Sequence, residues 1–187
     1  MIITSMTHHA LTRHGARALE ILDTYWSGLA VQGDLPLWSD VDPGQFQDAL
    51  DHAFLAESFG RSHARIRVAG GSVSDMAGTP CSGLPLSLLI RPEDRTAFNE
   101  AVRLCHTGGA VDIDLTTGAN AANRDVSARM VLYPLRDTTG RVTQLLGGVA
   151  AIGDAPASAA GPFGVGKVRA RPALACRFRL RLVVDNT

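Results

Sequence analysis

Apolar positions near the N-terminus recur at helical spacing. The stretch ARALEILDTYWSGLAVQGD carries an apolar residue every three or four positions, which is the period of one helix face. The pattern predicts an amphipathic helix that begins at Ala16 and ends at Gly33. Its apolar stripe consists of Leu19, Leu22, Trp26 and Leu29. The stripe either packs on the chain's own sheet or pairs with a second subunit, and we predict a homodimer because isologous dimers are the commonest oligomers.

Two more helices are predicted from their capping signals. Asp42 followed by Pro43 opens the first, because Asp caps helices and Pro is tolerated in the first turn. Its inward-facing residues are Phe46, Ala49 and Leu50. The second begins at Pro92 in RPEDRTAFNEAVRLCHTGG and ends at the paired glycines. Its apolar face consists of Phe98, Val102 and Cys105.

Elsewhere the apolar period shortens to two residues, which is the period of a strand. AFLAES and HARIRVAGGSVSDMAG are predicted to form a hairpin around the turn FGRSH, with Gly70 closing the second strand. In that strand Ile66 and Val68 are expected on one face and the arginines between and before them on the other.

Three further strands are predicted in antiparallel succession from AVDIDLTT, RDVSARMVLYPL and RVTQLLGGVAAIG. The pair Gly147 and Gly148 indicates a bulge or a close approach of another element to the last strand. Asp112 and Asp114 lie two residues apart and therefore on one face. We interpret them as the solvated side of a half-buried strand, with a cation site as the alternative.

The chain divides into four segments. Residues 1–15 lack periodicity and are predicted to be a flexible arm, whereas residues 16–153 hold the predicted helices and strands. Residues 154–170 are rich in Gly, Ala and Pro, which is the composition of a linker. Residues 171–187 are a basic tail in which Arg alternates with apolar residues. We expect the tail either to lie along a sheet edge or to be disordered.

Composition narrows the classes of function. Lys plus Arg and Asp plus Glu number 18 each among 187 residues, so only the basic tail leaves nucleic acid or an anionic membrane open as a partner. The three cysteines are far apart and fit reduced thiols better than a disulfide frame or a zinc site. Because no apolar run is as long as a membrane span and no secretory signal is visible, we expect a cytoplasmic protein.

The order of two strands, a helical crossing, a longer helix and three strands resembles a PAS domain. In detail, a helix carrying Trp precedes a D-x-D-P step that ends at Pro43, and Gly70 ends the second strand. An x-G-x-P-L step then follows and ends at Leu86. Over about residues 18–153 the chain resembles the single-domain bacterial PAS family called PAS_5.

The resemblance implies an α+β fold, with a five-stranded antiparallel sheet, helices on one face and an N-terminal amphipathic helix. It also implies a stand-alone sensory or regulatory module that signals by protein–protein contact. Too few residues follow the PAS-like unit for an output domain, so the expected partner is a signalling protein such as a kinase or a regulator. A small ligand between helix and sheet is the alternative, and its candidate lining residues are Met76, Phe98, Val102, Val126, Met130 and Leu146.

No cofactor and no metal site is predicted, although an unknown small ligand stays open. Haem-binding PAS domains use a His on the long helix, but His106 stands at the helix end, where a cation interacts favourably with the last carbonyls. Flavin-binding PAS domains carry a reactive Cys in the irregular middle, but their surrounding pattern is absent around Cys81. The N-terminal His8, His9 and His14 lack the spacing of metal ligands.

One motif points to an enzyme. GPFGVGKV fits the phosphate-binding pattern G-x-x-x-x-G-K-[ST] from Gly161 to Lys167, but Val168 replaces the hydroxyl that holds Mg²⁺. The motif follows a linker, and Pro172 interrupts any helix after it. No catalytic carboxylate pair or nucleophile–base arrangement stands out elsewhere. We therefore predict that the protein is not an enzyme, and nucleotide binding through Gly161–Lys167 is the remaining alternative.

Overall fold

A computed structural model of the chain describes residues 3–30, 34–116, 126–151 and 161–172, with side chains from His14 onward except those of residues 126 and 127. The helices are α1 (Ile3–Leu29), α2 (Gly71–Ala77) and α3 (Arg95–His106). The strands are β1 (Ala53–Phe59), β2 (His63–Ala69), β3 (Gly109–Thr116), β4 (Val126–Arg136), β5 (Val142–Ala151) and β6 (Gly164–Pro172). The 3₁₀ helices are Trp38–Asp40, Pro43–His52, Leu86–Leu89 and Pro92–Asp94. Pro43–His52 is called the long 3₁₀ helix below.

The six described strands form one antiparallel sheet in the order β2-β1-β5-β4-β3-β6. Residues of α2 and α3 pack against one face of the sheet, which we call the α3 face. Residues of α1 and the long 3₁₀ helix pack against the other, the α1 face. Because both faces are covered, apolar side chains form two separate clusters. The predicted α+β fold is confirmed, with one strand more than expected and with helices on both faces of the sheet instead of one.

The additional strand is β6, which occupies most of the predicted linker. It pairs antiparallel with β3 along nearly its whole length. The linker prediction is wrong for residues 164–170 because Arg169 is neutralised by Asp114 across the strand pair. Asp114 is only 5% exposed, so its interpretation as a solvated carboxylate is wrong too. Of the predicted basic tail, Arg171 and Pro172 belong to β6, and the remainder lies outside the described residues.

The predicted N-terminal arm is also largely helical. α1 begins at Ile3, so the arm prediction is wrong from that residue onward. No Pro or Gly occurs before Gly15, and nothing in this stretch interrupts a helix that the packed half of α1 stabilises. The helix ends at Leu29, while the expected terminator Gly33 lies outside the described residues.

The helix predicted from Asp42 has 3₁₀ geometry. The Asp42 carboxylate accepts a hydrogen bond from the Gly44 N–H at 3.0 Å, which confirms the predicted cap. Phe46 and Ala49 are buried as expected, but Leu50 is 41% exposed. A 3₁₀ helix has three residues per turn, so positions three apart share a face and the fourth turns away from it.

A β-bulge changes the facing of residues in β2. Leu55 of β1 is opposite Val68, whereas the next residue, Ala56, is opposite Ile66, which leaves Arg67 as the extra residue. Ile66 is buried in the cluster on the α3 face, while Val68 shares the α1 face with Leu55 and is 63% exposed. The prediction that Ile66 and Val68 share a face is therefore wrong. Gly70 closes β2 as predicted, but the segment that follows is α2 and not strand.

The paired glycines of β5 allow close packing on both faces of the sheet, Gly147 on the α3 face and Gly148 on the α1 face. A Cβ on Gly147 would overlap the Phe54 ring and lie 2.9 Å from the Val131 carbonyl oxygen. A Cβ on Gly148 would lie 2.9 Å from Cδ2 of Leu19. The predicted close approach is confirmed, and Gly148 lets α1 lie directly on the strand.

Candidate functional site

The space between α3 and the sheet, where the resemblance places a ligand, is occupied by side chains. Met76, Phe98, Val102 and Met130, all predicted to line a pocket, are at most 5% exposed and belong to one apolar cluster. Other fully buried members come from the surrounding strands, helices and loops, among them Ile66, Leu89, Ile113, Leu132 and Phe163. The structure thus brings these four candidates together in a packed core.

Two further pocket candidates do not join this core. Leu146 is opposite Tyr133 in the β4–β5 ladder and packs in the cluster on the α1 face. The prediction for Leu146 is wrong because strand residues alternate between faces and Leu145, not Leu146, faces α3. The side chain of Val126 lies outside the described residues, so its role stays a prediction.

Two thiols, those of Cys81 and Cys105, lie within this apolar cluster. Burial raises the pKa of Cys105, so it stays a neutral thiol. The Cys81 Sγ lies 3.6 Å from the Ser74 hydroxyl.

His106 is not part of the core face of α3. It ends the helix and is half-buried, and its Nε2 has no hydrogen-bond partner among the described residues. Burial lowers its pKa below the ordinary value, which favours the neutral imidazole at pH 7. The buried face of α3 is made by Phe98, Ala101, Val102 and Cys105. These side chains pack on the sheet beneath the helix.

The predicted dimer stripe is used within the chain. Leu19, Leu22 and Trp26 are 7%, 0% and 4% exposed and pack on the α1 face of the chain's own sheet. The Trp26 indole donates a hydrogen bond to the Pro134 carbonyl at 3.0 Å and stacks on Tyr133 at 5.2 Å. Leu29 is partly buried in the same cluster. Assigning Leu19, Leu22 and Trp26 to a dimer interface was therefore wrong, because side chains already buried by their own sheet are unavailable to a second subunit, whereas the assignment of Leu29 stays a prediction.

A network of charged groups ties α1 to β6, and the sequence analysis missed it. The Arg171 guanidinium donates to the Asp23 carboxylate of α1 at 2.6 Å and lies 3.2 Å from Asp112 of β3. The Tyr133 hydroxyl donates to Asp23 at 3.1 Å. Burial and the Asp23 carboxylate together raise the pKa of Tyr133, so the phenol keeps its proton. Asp23 raises the pKa of Arg171, as expected for a charge-assisted pair.

A second part of this network surrounds Asp114. Arg169 donates to both carboxylate oxygens, at 3.0 and 2.6 Å, and Arg129 lies 3.5 Å away. The hydrogen bonds from Arg169 lower the pKa of Asp114 despite its burial. One sequence signal for this network was available: acids recur at every second residue of β3, and bases at every second residue of 167–171.

The stretch that resembles a phosphate loop is a loop entering the edge strand β6. Its backbone N–H groups are already engaged: Gly161 donates to the Met76 carbonyl at 2.6 Å, and Phe163 donates to Leu89 at 2.8 Å. Val165 donates to the Asp94 carboxylate at 3.2 Å. A phosphate cradle needs converging N–H groups at a helix N-terminus, and this stretch continues as antiparallel strand. The alternative of nucleotide binding through Gly161–Lys167 therefore lacks its geometric basis.

The glycines of this stretch have a packing role. A Cβ on Gly164 would lie 2.6 Å from the Thr116 hydroxyl oxygen and 3.0 Å from an Asp94 carboxylate oxygen. A Cβ on Gly166 would lie 3.0 Å from the Asp114 carbonyl oxygen. Glycine is needed here because β6 lies tightly on β3 and on the start of α3.

The β1–β2 hairpin leaves part of the α1 face open. Among side chains on this face, Val68 is 63% and Phe59 is 45% exposed. The Arg65 guanidinium lies 5.5 Å from the centre of the Phe59 ring, and Arg67 pairs with Glu57. This combination of exposed apolar and cationic groups on a sheet is the candidate interaction surface, and we call it the hairpin face.

Two grooves lie elsewhere on the surface. One, of about 610 Å³, lies beside the C-terminal end of α3 and is bordered by Leu104, Arg136 and Arg171. The other, of about 640 Å³, follows the solvent side of α1 next to Tyr25 and Gln45. Neither groove enters the apolar cluster on the α3 face.

In the part of the chain with described side chains, no three His, Cys, Asp or Glu residues lie close enough together to hold a metal ion. None of the described helices combines the length and the apolar character that crossing a membrane requires.

Comparisons with known proteins bear on the fold. The model of a family described as PAS_5, a PAS domain, matches residues 14–150. A comparison with curated proteins found no match. One similar solved structure, a light-oxygen-voltage domain studied with a flavin analogue, is 17% identical with a TM-score of 0.44, over 59% of this chain and 83% of that one. Another, an RNA-binding light-oxygen-voltage receptor, is 18% identical with a TM-score of 0.43, over 66% of this chain and 37% of that one.

Proposed function

Because the chain belongs to the PAS_5 family of PAS domains, we propose that it is a sensory and regulatory module that passes on its signal by binding another protein, without a cofactor in its core. One observation carries this proposal: the space between α3 and the sheet is filled by apolar side chains that are 0–7% exposed. A core packed in this way behaves as the rigid support for a surface, since inserting a ligand would require several side chains to move together.

The expected partner is a signalling protein such as a kinase or a regulator. Regulation of such a partner through protein–protein contact is consistent with a domain whose two helical layers are linked through the sheet. Arg171 and Tyr133 hold α1, while Asp94 at the start of α3 accepts a hydrogen bond from β6. A homodimer stays a prediction, and it requires a surface other than the buried stripe of α1.

The test separates binding of a protein from binding of a small molecule. The tagged protein is used to isolate partners from cells of the source organism, and the partner is then purified and titrated in a calorimeter. One sample of the protein is unfolded in urea, dialysed and refolded, which removes any small ligand. We expect the refolded sample to bind the partner with unchanged Kd.

Two outcomes would contradict the proposal. Loss of partner binding after refolding, with recovery on adding the small-molecule fraction of a cell extract, would make the protein a ligand sensor. Failure to reconstitute a complex with any purified candidate would remove the protein-binding function itself. Circular dichroism of the refolded sample controls for correct folding.

A further inference from the structure

Coverage of the α1 face is uneven. α1 lies on β5 and β4, where Leu22 contacts Gly148 and Trp26 stacks on Tyr133. The long 3₁₀ helix buries Phe46 and Ala49 beside α1. Neither element covers β2, the edge strand of the β1–β2 hairpin, where the exposed fraction of a side chain rises to 63% at Val68.

The register of the hairpin places a defined set of side chains on this open area. Residues opposite each other in an antiparallel pair share a face, and the pairs are Leu55 with Val68, Glu57 with Arg65, and Phe59 with His63. The bulge adds Arg67, which reaches Glu57 on the same face. Leu50, at 41% exposed, lies near the end of β2, where its carbonyl abuts Gly70.

The hairpin face carries net positive charge. Arg65 and Arg67 together face the single carboxylate of Glu57, and Arg67 is the residue that pairs with it. Arg65 instead lies over the Phe59 ring, and Phe59 also stacks on His63 at 5.7 Å. Cationic groups therefore lie between Val68 and Phe59 along the hairpin, and this order is complementary to a surface on which carboxylates lie between apolar residues.

The geometry of the hairpin favours a helix lying across it over an added strand. The free edge of β2 is already engaged at its centre, because Ile66 donates to the Leu84 carbonyl at 2.9 Å and accepts from Gly83 at 2.7 Å. Two strands present a face roughly 10 Å wide, which is the diameter of one helix. Strands of seven residues are about 23 Å long, which is the length of a helix of about 15 residues.

We propose that the hairpin face docks an acidic amphipathic helix of the partner protein. This inference rests on the proposed function and names the surface and the chemistry of its partner. The apolar residues of the helix cover Val68 and Phe59, and its carboxylates meet Arg65 and Arg67. A second copy of this chain fits less well, because isologous contact of this face brings the same arginines together.

A peptide of about 15 residues serves as the probe. It is an amphipathic helix with Leu on one side and Glu elsewhere, and its counterpart carries Lys in place of every Glu. Each is titrated into ¹⁵N-labelled protein by NMR. We expect the acidic peptide alone to bind, with shift changes in β1 and β2, and with weaker binding at high salt.

Matched variants locate the contact. Val68→Asp and Arg65→Glu should each weaken acidic-peptide binding by about tenfold or more. Thr96→Asp is the control, since Thr96 is exposed on α3, on the other side of the sheet, and is similar to Val in shape. It should leave the Kd unchanged. Unchanged amide dispersion in the NMR spectrum confirms that each variant is folded.

Several results would overturn this assignment. They are an acidic peptide that does not bind, a basic peptide that binds equally well, or an unchanged Kd in Val68→Asp. Self-association of the wild type that Val68→Asp abolishes would assign the face to a second copy instead. If the purified natural partner binds both variants as tightly as wild type, the docking assignment fails while the proposed function stands. If no purified partner binds at all, the proposed function fails.

Discussion

Replacing Trp26 by Phe tests whether the stripe of α1 belongs to the chain's own core. The substitution keeps an aromatic ring next to Tyr133 but removes the indole N–H that donates to the Pro134 carbonyl at 3.0 Å. Loss of this buried hydrogen bond costs about 1–2 kcal/mol. The smaller ring leaves space at a site only 4% exposed, which adds about 1 kcal/mol.

The free energy of unfolding should therefore fall by about 2–3 kcal/mol, and Tm by about 5–10 °C for a chain of this size. Urea unfolding followed by circular dichroism measures the change. Trp38→Phe is the matched control, because Trp38 is 49% exposed, and it should change the free energy by less than about 0.5 kcal/mol. Equal effects of the two substitutions would refute the packing of α1 on the sheet. A denaturant midpoint that rises with protein concentration in the wild type would instead indicate a dimer contact.

Three further predictions concern packing, charge and thiol chemistry. Gly147→Ala should destabilise the protein by about 1–3 kcal/mol, since the added Cβ would overlap Phe54. The control Gly28→Ala, with open space around it in α1, should be neutral or stabilising. The denaturant midpoints of the two variants measure these changes in stability, and equal midpoints would contradict the close approach. Asp114→Asn should cost about 2 kcal/mol at neutral pH. Because the pKa of Asp114 is lowered from 3.8 in the folded protein, the wild-type advantage is complete above that pH and shrinks as pH falls below it; an advantage that grows on acidification would contradict this sign. Cys105 should react with a thiol reagent only after unfolding, since burial raises its pKa; fast labelling of the native protein, measured by mass spectrometry, would show that the core opens.

The core and most strands could be predicted because their apolar periods are regular. α3, β3 and the β4–β5 pair follow a helical or an alternating pattern without interruption. The close approach at Gly147 and Gly148 could also be predicted, because two adjacent glycines within a strand usually mark a bulge or a close approach of another element.

The sequence-based predictions failed for the features that depend on long-range contacts. β6 contains three glycines or prolines and alternating bases, so its own composition favours a linker. It becomes a strand because its bases pair with Asp112 and Asp114 of β3, a strand that is distant in the sequence. The bulge that turns Val68 outward is set by pairing with β1 and leaves no mark in the local alternation. The hairpin face was missed for this reason.

The assignment of the α1 stripe failed for a related reason. A row of apolar residues on a helix specifies that the row is buried, but not whether the covering surface belongs to the same chain. The close approach at Gly148 and the indole hydrogen bond to β4 decide this point, and both require the folded sheet.

Native mass spectrometry of the protein isolated from its own cells tests the central claim most directly, because one spectrum reports small ligands and protein partners together. The account predicts the mass of the polypeptide without a small-molecule increment, together with a complex that contains a second protein. A polypeptide that carries the mass of a flavin, a haem or another small molecule, and that forms no complex with a protein, would contradict it.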